Sequence, residues 1–175
     1  MPFIIVEGAE NAGKTLFCKR VMQRLEQQKL KAEYRRVDAY APMSELLEIV
    51  EEGRKTATVQ VIEGWYLSTY VYSTLTVRKV DIDELDAISH INKLVDDVGV
   101  RLVLSPSTSD MLRRKTAKNL AINVITANNV FKTVGQLTGW EISTVVQWSA
   151  GDAIRKMMNR YDSANFNKAY LEGRW

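Results

Sequence analysis

Short apolar runs alternate along this chain with longer stretches in which apolar residues recur every three or four positions. Residues 3–7, FIIVE, have the pattern of a strand buried on both faces. Over 14–28, Phe17, Val21 and Leu25 fall on one face at helical spacing. Residues 31–37, KAEYRRV, fit a second strand. Residues 42–53 open on Pro42, close on Gly53 and turn Leu46, Leu47 and Val50 inward, which predicts a helix. The β-rich run 57–63, ATVQVIE, stops at Gly64. Residues 65–76 are β-branched and aromatic, yet their place in the order suits a helix. A helix over 83–98 ends near Gly99, and a strand over 100–105 is closed by Pro106. A helical tract with a polar break continues to about residue 134. Residues 141–147 predict a fifth strand and 152–161 a further helix, and the tail has room for a last short one.

Strands and helices in this order predict a parallel sheet covered on both faces, with right-handed crossovers. No repeat, low-complexity tract or linker interrupts the pattern, so the 175 residues read as one domain. The net charge of +3 suits an anionic ligand but is too small to argue for DNA or RNA. FIIV is too short for a signal-peptide core, and no apolar run approaches membrane length, so the expected home is the cytosol. A single cysteine, Cys18, rules out an internal disulfide and fits a reducing compartment. One turn into the first helix, it reads as buried and inert. His90, in mid-helix, reads as structural or exposed.

Chemistry concentrates in residues 8–15, GAENAGKT, between the first strand and the first helix. Glycine, four residues, then Gly-Lys-Thr is the spacing of a loop that cradles phosphates. Backbone N–H groups of Glu10, Asn11, Ala12, Gly13 and Leu16 can turn inward as an anion-binding nest, and the following helix adds its positive end. Gly8 and Gly13 permit the close approach that a side chain would block. Lys14 reaches the outer phosphates, and Thr15 offers its hydroxyl to Mg²⁺. The guanine-reading Asn-Lys-x-Asp of GTPases is missing: NKLVDD at 92–97 has the wrong spacing. Glu63, closing the third strand, can hold Mg²⁺ through water or accept a proton from a hydroxyl. The position suits a motor ATPase too, but the chain is small for one.

Three stretches resemble the thymidylate kinase family. FIIVEGAENAGKT resembles its opening, with Glu10 as the acidic residue of the loop. VIEGWYLSTYVYS (61–73) resembles its second motif, with Glu63, Trp65, Ser68 and Tyr72 in the matching places. VRLVLSPSTSDMLRRK (100–115) resembles its fourth strand running into a lid. In length the chain is closer to short virus-encoded deoxynucleotide kinases. The resemblance implies an α/β P-loop NTPase three-layer sandwich, a five-stranded parallel sheet in the order 2-3-1-4-5, and a small lid at about 108–135. It implies ATP and Mg²⁺ as cofactors and a deoxynucleoside monophosphate as acceptor, with a homodimer as the form in which related kinases pair. Arg113 and Arg114 would be the catalytic lid cations beside Lys14 and Glu63.

The family's arginine after the acidic residue, which grips the acceptor phosphate, is Gly64 here. Arg36, or its neighbour Arg35, can supply that cation from the end of the second strand. Ser68 with the aromatic residues Trp65, Tyr66 and Tyr72 is the expected contact set for base or sugar. The loop QWSAGDA (147–153) stands where such folds bring chain against adenine. Deoxynucleoside kinases, which phosphorylate a free 5′-hydroxyl, also carry Glu at the end of the third strand. A nucleotide-binding regulatory or assembly protein with impaired transfer is the third reading, and Gly64 is its best support.

Overall fold

The computed structural model describes residues 2–56, 58–75, 88–90, 92, 93, 95, 96, 98–113, 121–143 and 150–171. Five strands form one sheet: β1 (Phe3–Glu7), β2 (Ala32–Arg36), β3 (Val59–Glu63), β4 (Gly99–Leu104) and β5 (Glu141–Ser143). All pair in parallel, as the sequence pattern predicts, and in the order β2-β3-β1-β4-β5 that the resemblance implies. β1 sits at the centre, and its first four residues, Phe3, Ile4, Ile5 and Val6, are apolar and fully buried. In a strand, alternate residues serve opposite faces. Phe3, Ile5 and Ile62 therefore join one core, and Ile4, Val6, Val59 and Val61 the other.

Helices cover both faces. α1 (Lys14–Gln27) and α6 (Ala150–Leu171) pack on the second core, through Phe17, Cys18, Val21, Leu25, Ile154 and Met157. α2 (Met43–Lys55), α3 (Tyr66–Leu75) and α5 (Ala121–Leu137) pack on the first, and α4 (Thr108–Arg113) adds Met111 to it. The three layers are those of a P-loop NTPase fold. The described residues between 88 and 96 are helical, consistent with the helix expected over 83–98, the rest of which lies outside the described residues.

Some boundaries differ from the sequence reading. α2 runs two residues past Gly53, whose bare Cα lets the Phe3 ring come within 2.7 Å of where a Cβ would stand. Close packing, not termination, explains that glycine. The ambiguous stretch 65–76 is helical because Leu67 and Val71, at i and i+4, both bury in the first core. α6 is one continuous helix of 22 residues instead of two pieces. β5 is described over three residues, and 144–149, including the start of QWSAGDA, lie outside the described residues. Much of the stretch expected as a lid is body: Val124, Ala127 and Phe131 of α5 are buried in the first core. Residues 114–120, with Arg114, and the side chain of Arg113 lie outside the described residues.

Candidate active site

The loop from Gly8 to Gly13 leaves β1 at the carboxyl edge of the sheet, where open α/β folds bind ligands. Three of its residues take positive φ: Gly8 at 142°, Asn11 at 61° and Gly13 at 98°. At Gly8 a Cβ would stand 2.5 Å from the Leu104 carbonyl oxygen, so the first glycine is imposed by β4. Gly13 caps α1, and the first helical bond runs from Phe17 N to Gly13 O at 3.0 Å. The N–H groups of Lys14, Thr15 and Leu16 thus have no partner within the helix and carry its positive end.

Lys14 folds back over the loop. Its ammonium donates to the carbonyls of Gly8 (2.5 Å) and Ala9 (3.0 Å). Burial lowers its pKa, while the charges of Glu7 and Glu63 pull it back up. The cation therefore stands between two carboxylates that close neighbouring strands. Glu63, 3% exposed, faces the α1 side: Thr15 Oγ1 donates to its Oε1 at 2.8 Å and Tyr34 Oη to its Oε2 at 2.5 Å. Glu7 has the opposite parity and faces α3. It is fully buried and accepts from both Ser68 N (2.9 Å) and Ser68 Oγ (2.5 Å). Burial pushes the Glu7 carboxyl from 4.5 up to about 7, against the opposing pull of the Ser68 donors and the Lys14 charge.

A cavity of about 360 Å³ opens beside the loop. Lys14, Arg36, Glu10 and Glu63 supply its charges, Ser68 and Tyr72 its hydroxyls on α3, and Gly64 a stretch of bare wall. Arg36, not Arg35, reaches it. Strand alternation sends Arg35 to the other face, where it pairs with Glu52 at 3.3 Å. On the other flank of the loop lies a shallow crevice lined by Gly13, Leu16, Arg20, Pro106 and Ser143. Leu16 is 51% exposed there.

The structure does not bring all the expected aromatic residues to the cavity. Trp65 is 1% exposed and belongs to the first core, its indole N–H without a partner. Tyr66 is turned the other way. Its hydroxyl meets Asn92 Nδ2 (2.9 Å), Trp140 Nε1 (3.1 Å) and Arg101 Nη1 (3.4 Å), and its ring stands edge-on to Trp140. Both are corrected from ligand contacts to structural residues. Tyr72 stays at the site, its hydroxyl accepting from Glu10 N at 3.2 Å. Glu7 and Tyr34 were missed. FIIVE and VQVIE both end on glutamate, which is a signal for Glu7. Tyr34 needed the register that sets Arg36 beside Glu63 and Tyr34 beside Val61.

Gly64 has a reason of its own. Its φ is 88°, and a Cβ would stand 2.6 Å from the Val37 carbonyl oxygen. The backbone here has no room for an arginine side chain, so the departure from the family pattern reflects a local turn.

Oxygen donors such as Thr15 Oγ1 and the Glu63 carboxylate fit a hard cation such as Mg²⁺. Among the described residues no group of three or more His, Cys, Asp or Glu converges. A metal here would take most of its ligands from phosphate and water, the usual habit of Mg²⁺. No helix among the described residues is long and apolar enough to cross a membrane.

No family model matches the chain, and no curated protein matches it in sequence. Solved structures do match it in fold. The YorR protein from Bacillus subtilis, in complex with phosphorylated GDP, aligns with a TM-score of 0.62 at 14% identity over 97% of this chain and 98% of that one. A thymidylate kinase from Ehrlichia chaffeensis aligns with a TM-score of 0.44 at 14% identity, over 82% of this chain and 85% of that one. The first likeness agrees with the sheet order in making this a P-loop NTPase fold.

Proposed function

We propose that the chain is a nucleotide kinase that transfers the γ-phosphoryl group of ATP to a deoxynucleoside monophosphate, assisted by Mg²⁺. One observation carries this reading: Lys14 and the Thr15–Glu63 pair stand at a phosphate loop that opens directly onto a second cavity holding another cation, Arg36. A loop that only bound and hydrolysed ATP would need no such space. The YorR protein, of matching size and fold, was crystallised with a phosphorylated nucleotide, which is in keeping with this reading.

Phosphoryl transfer is chiefly positioning and charge neutralisation. In this reading the loop N–H groups and Lys14 hold the outer phosphates of ATP. Lys14 leaves its two carbonyl partners to do so. Thr15 and Glu63 would hold the Mg²⁺, which would supply charge neutralisation when bound. The shallow crevice at Leu16 takes the donor base. Arg36 holds the acceptor phosphate, and the resemblance would make Arg113 and Arg114, outside the described side chains, further cations for the transferring group.

The monophosphate is favoured over a free nucleoside for two reasons. Both oxygens of Glu63 already receive hydroxyl protons, from Thr15 and Tyr34, which suits a holding role better than taking a proton from a 5′-hydroxyl. The cavity also carries a guanidinium that a neutral nucleoside does not need. The reading as a protein with impaired transfer loses its main support, because Gly64 is explained by its turn. An assay of ATP with Mg²⁺ against a panel of deoxynucleosides and their monophosphates, with products identified by mass, tests the proposal. Conversion of a monophosphate is expected. Conversion of nucleosides alone, or of nothing, defeats it.

A further inference from the structure

Lys14, Glu63 and Arg36 supply charge to the cavity beside the loop. Tyr40 and Tyr72 are the aromatic residues that line it, and they are not equivalent. Tyr72 is committed to the wall. Its hydroxyl holds the loop at Glu10 N, and its ring stands edge-on to Phe131 with centroids 5.8 Å apart. Tyr40 lines the same cavity and keeps 48% of its surface exposed.

The chain around Tyr40 is fixed at several points. Val37 N donates to Glu63 O at 2.9 Å, which ties the start of the loop to the end of β3. Tyr40 N donates to Asp38 Oδ1 at 2.8 Å and Ala41 N to Asp38 O at 3.1 Å, so Asp38 shapes the turn. Thr69 Oγ1 donates to Ala39 O at 2.5 Å, which binds the loop to α3. A tyrosine on a tethered backbone, with few rotatable bonds, offers a flat face at low entropic cost.

Resting on the kinase reading above, we infer that Tyr40 is the stacking platform for the nucleobase of the acceptor, and so a specificity-determining residue. The ligand class is a planar aromatic heterocycle whose attached sugar phosphate points toward Arg36 and Lys14. Stacking on a tyrosine face accepts any base with a π-surface. The expected preference is therefore for nucleotides over base-free sugar phosphates, with only modest discrimination among bases.

Calorimetric titration of the full chain tests this without relying on turnover. The probes are thymidine 5′-monophosphate, 2′-deoxyguanosine 5′-monophosphate and deoxyribose 5-phosphate, against wild type, Tyr40→Ala and Tyr40→Phe. Wild type is expected to bind both nucleotides about tenfold or more tighter than the sugar phosphate. Tyr40→Ala should remove that difference while sugar phosphate binding is retained, and Tyr40→Phe should keep it. Equal preference in wild type and Tyr40→Ala overturns the inference. So does a wild type that does not distinguish nucleotide from sugar phosphate. Loss of sugar phosphate binding in Tyr40→Ala overturns it as well, because the residue would then be acting on the whole cavity. The kinase reading fails separately, if the activity panel yields no phosphorylated monophosphate.

Discussion

Thr15 Oγ1 donates to Glu63 Oε1 across 2.8 Å, although 48 positions separate them in the chain. The contact joins the first turn of α1 to the end of β3. A hydroxyl that gives its proton to a carboxylate keeps its lone pairs for a cation. The pair is thus a ready-made oxygen site next to the phosphate loop.

If that site serves Mg²⁺, Glu63→Ala should raise the Mg²⁺ concentration needed for turnover and lower activity by about 10–100-fold. Metal-free ATP binding should persist, because the loop and Lys14 are intact. A magnesium titration of activity, paired with calorimetry of ATP without metal, reads both. An unchanged magnesium requirement would remove Glu63 from the metal.

Gly64 offers a test of the turn. Either Gly64→Ala or Gly64→Arg must adopt a φ of 88° and push a Cβ against the Val37 carbonyl. We expect a loss of about 1–3 kcal/mol in stability for the alanine and at least that for the arginine. Thermal melting measures it. A more active, equally stable Gly64→Arg would show that the missing arginine, and not the backbone, matters here.

Glu7 links stability to pH. Its carboxyl titrates at about 7 in the fold against an ordinary 4.5, because burial disfavours its charge. Between these values the unfolded chain has released a proton that the folded chain still holds. The stabilising contribution is therefore complete below 4.5 and declines as pH rises to about 7. The decline amounts to roughly 3 kcal/mol. Glu7→Gln keeps groups able to meet Ser68 but cannot ionise. Denaturant unfolding of the two proteins between pH 4.5 and 8 should show the slope attributable to residue 7 in the wild type alone. Parallel curves would place the Glu7 titration elsewhere.

Burial also pushes the Cys18 thiol up to about 12, so at neutral pH it carries no thiolate. A thiol reagent should leave the folded protein unmodified and label it once denatured. Rapid labelling of the native chain would contradict the packing of α1.

The parallel sheet was legible because most strands have a distinct apolar run and alternate with helices, while the order of the strands came with the resemblance and the polar β2 is the least marked of them. The phosphate loop was legible because its spacing is local. What escaped depends on contacts across the sheet. Glu7 looked like the last residue of a strand until α3 placed Ser68 over it. Tyr34 carries no local signal within KAEYRRV, and only the register brings its hydroxyl to Glu63. The aromatic run from 65 to 72 misled for a different reason. At 3.6 residues per turn, Tyr66 and Ser68 lie on opposite sides of α3, whereas Ser68 and Tyr72, four apart, share the cavity face. The helix, once recognised, sorts those residues by spacing alone. Local β propensity in Thr69, Val71 and Thr74 left the helix ambiguous in the sequence.

Transfer of the ATP γ-phosphoryl group, followed in wild type and in Lys14→Ala with Mg²⁺ and the best monophosphate acceptor, tests the central claim most directly. The account predicts a phosphorylated nucleotide from wild type and a rate lower by about 10²–10³ in the variant. Equal rates in the two proteins would mean that the loop does not carry out the chemistry, and would contradict the account.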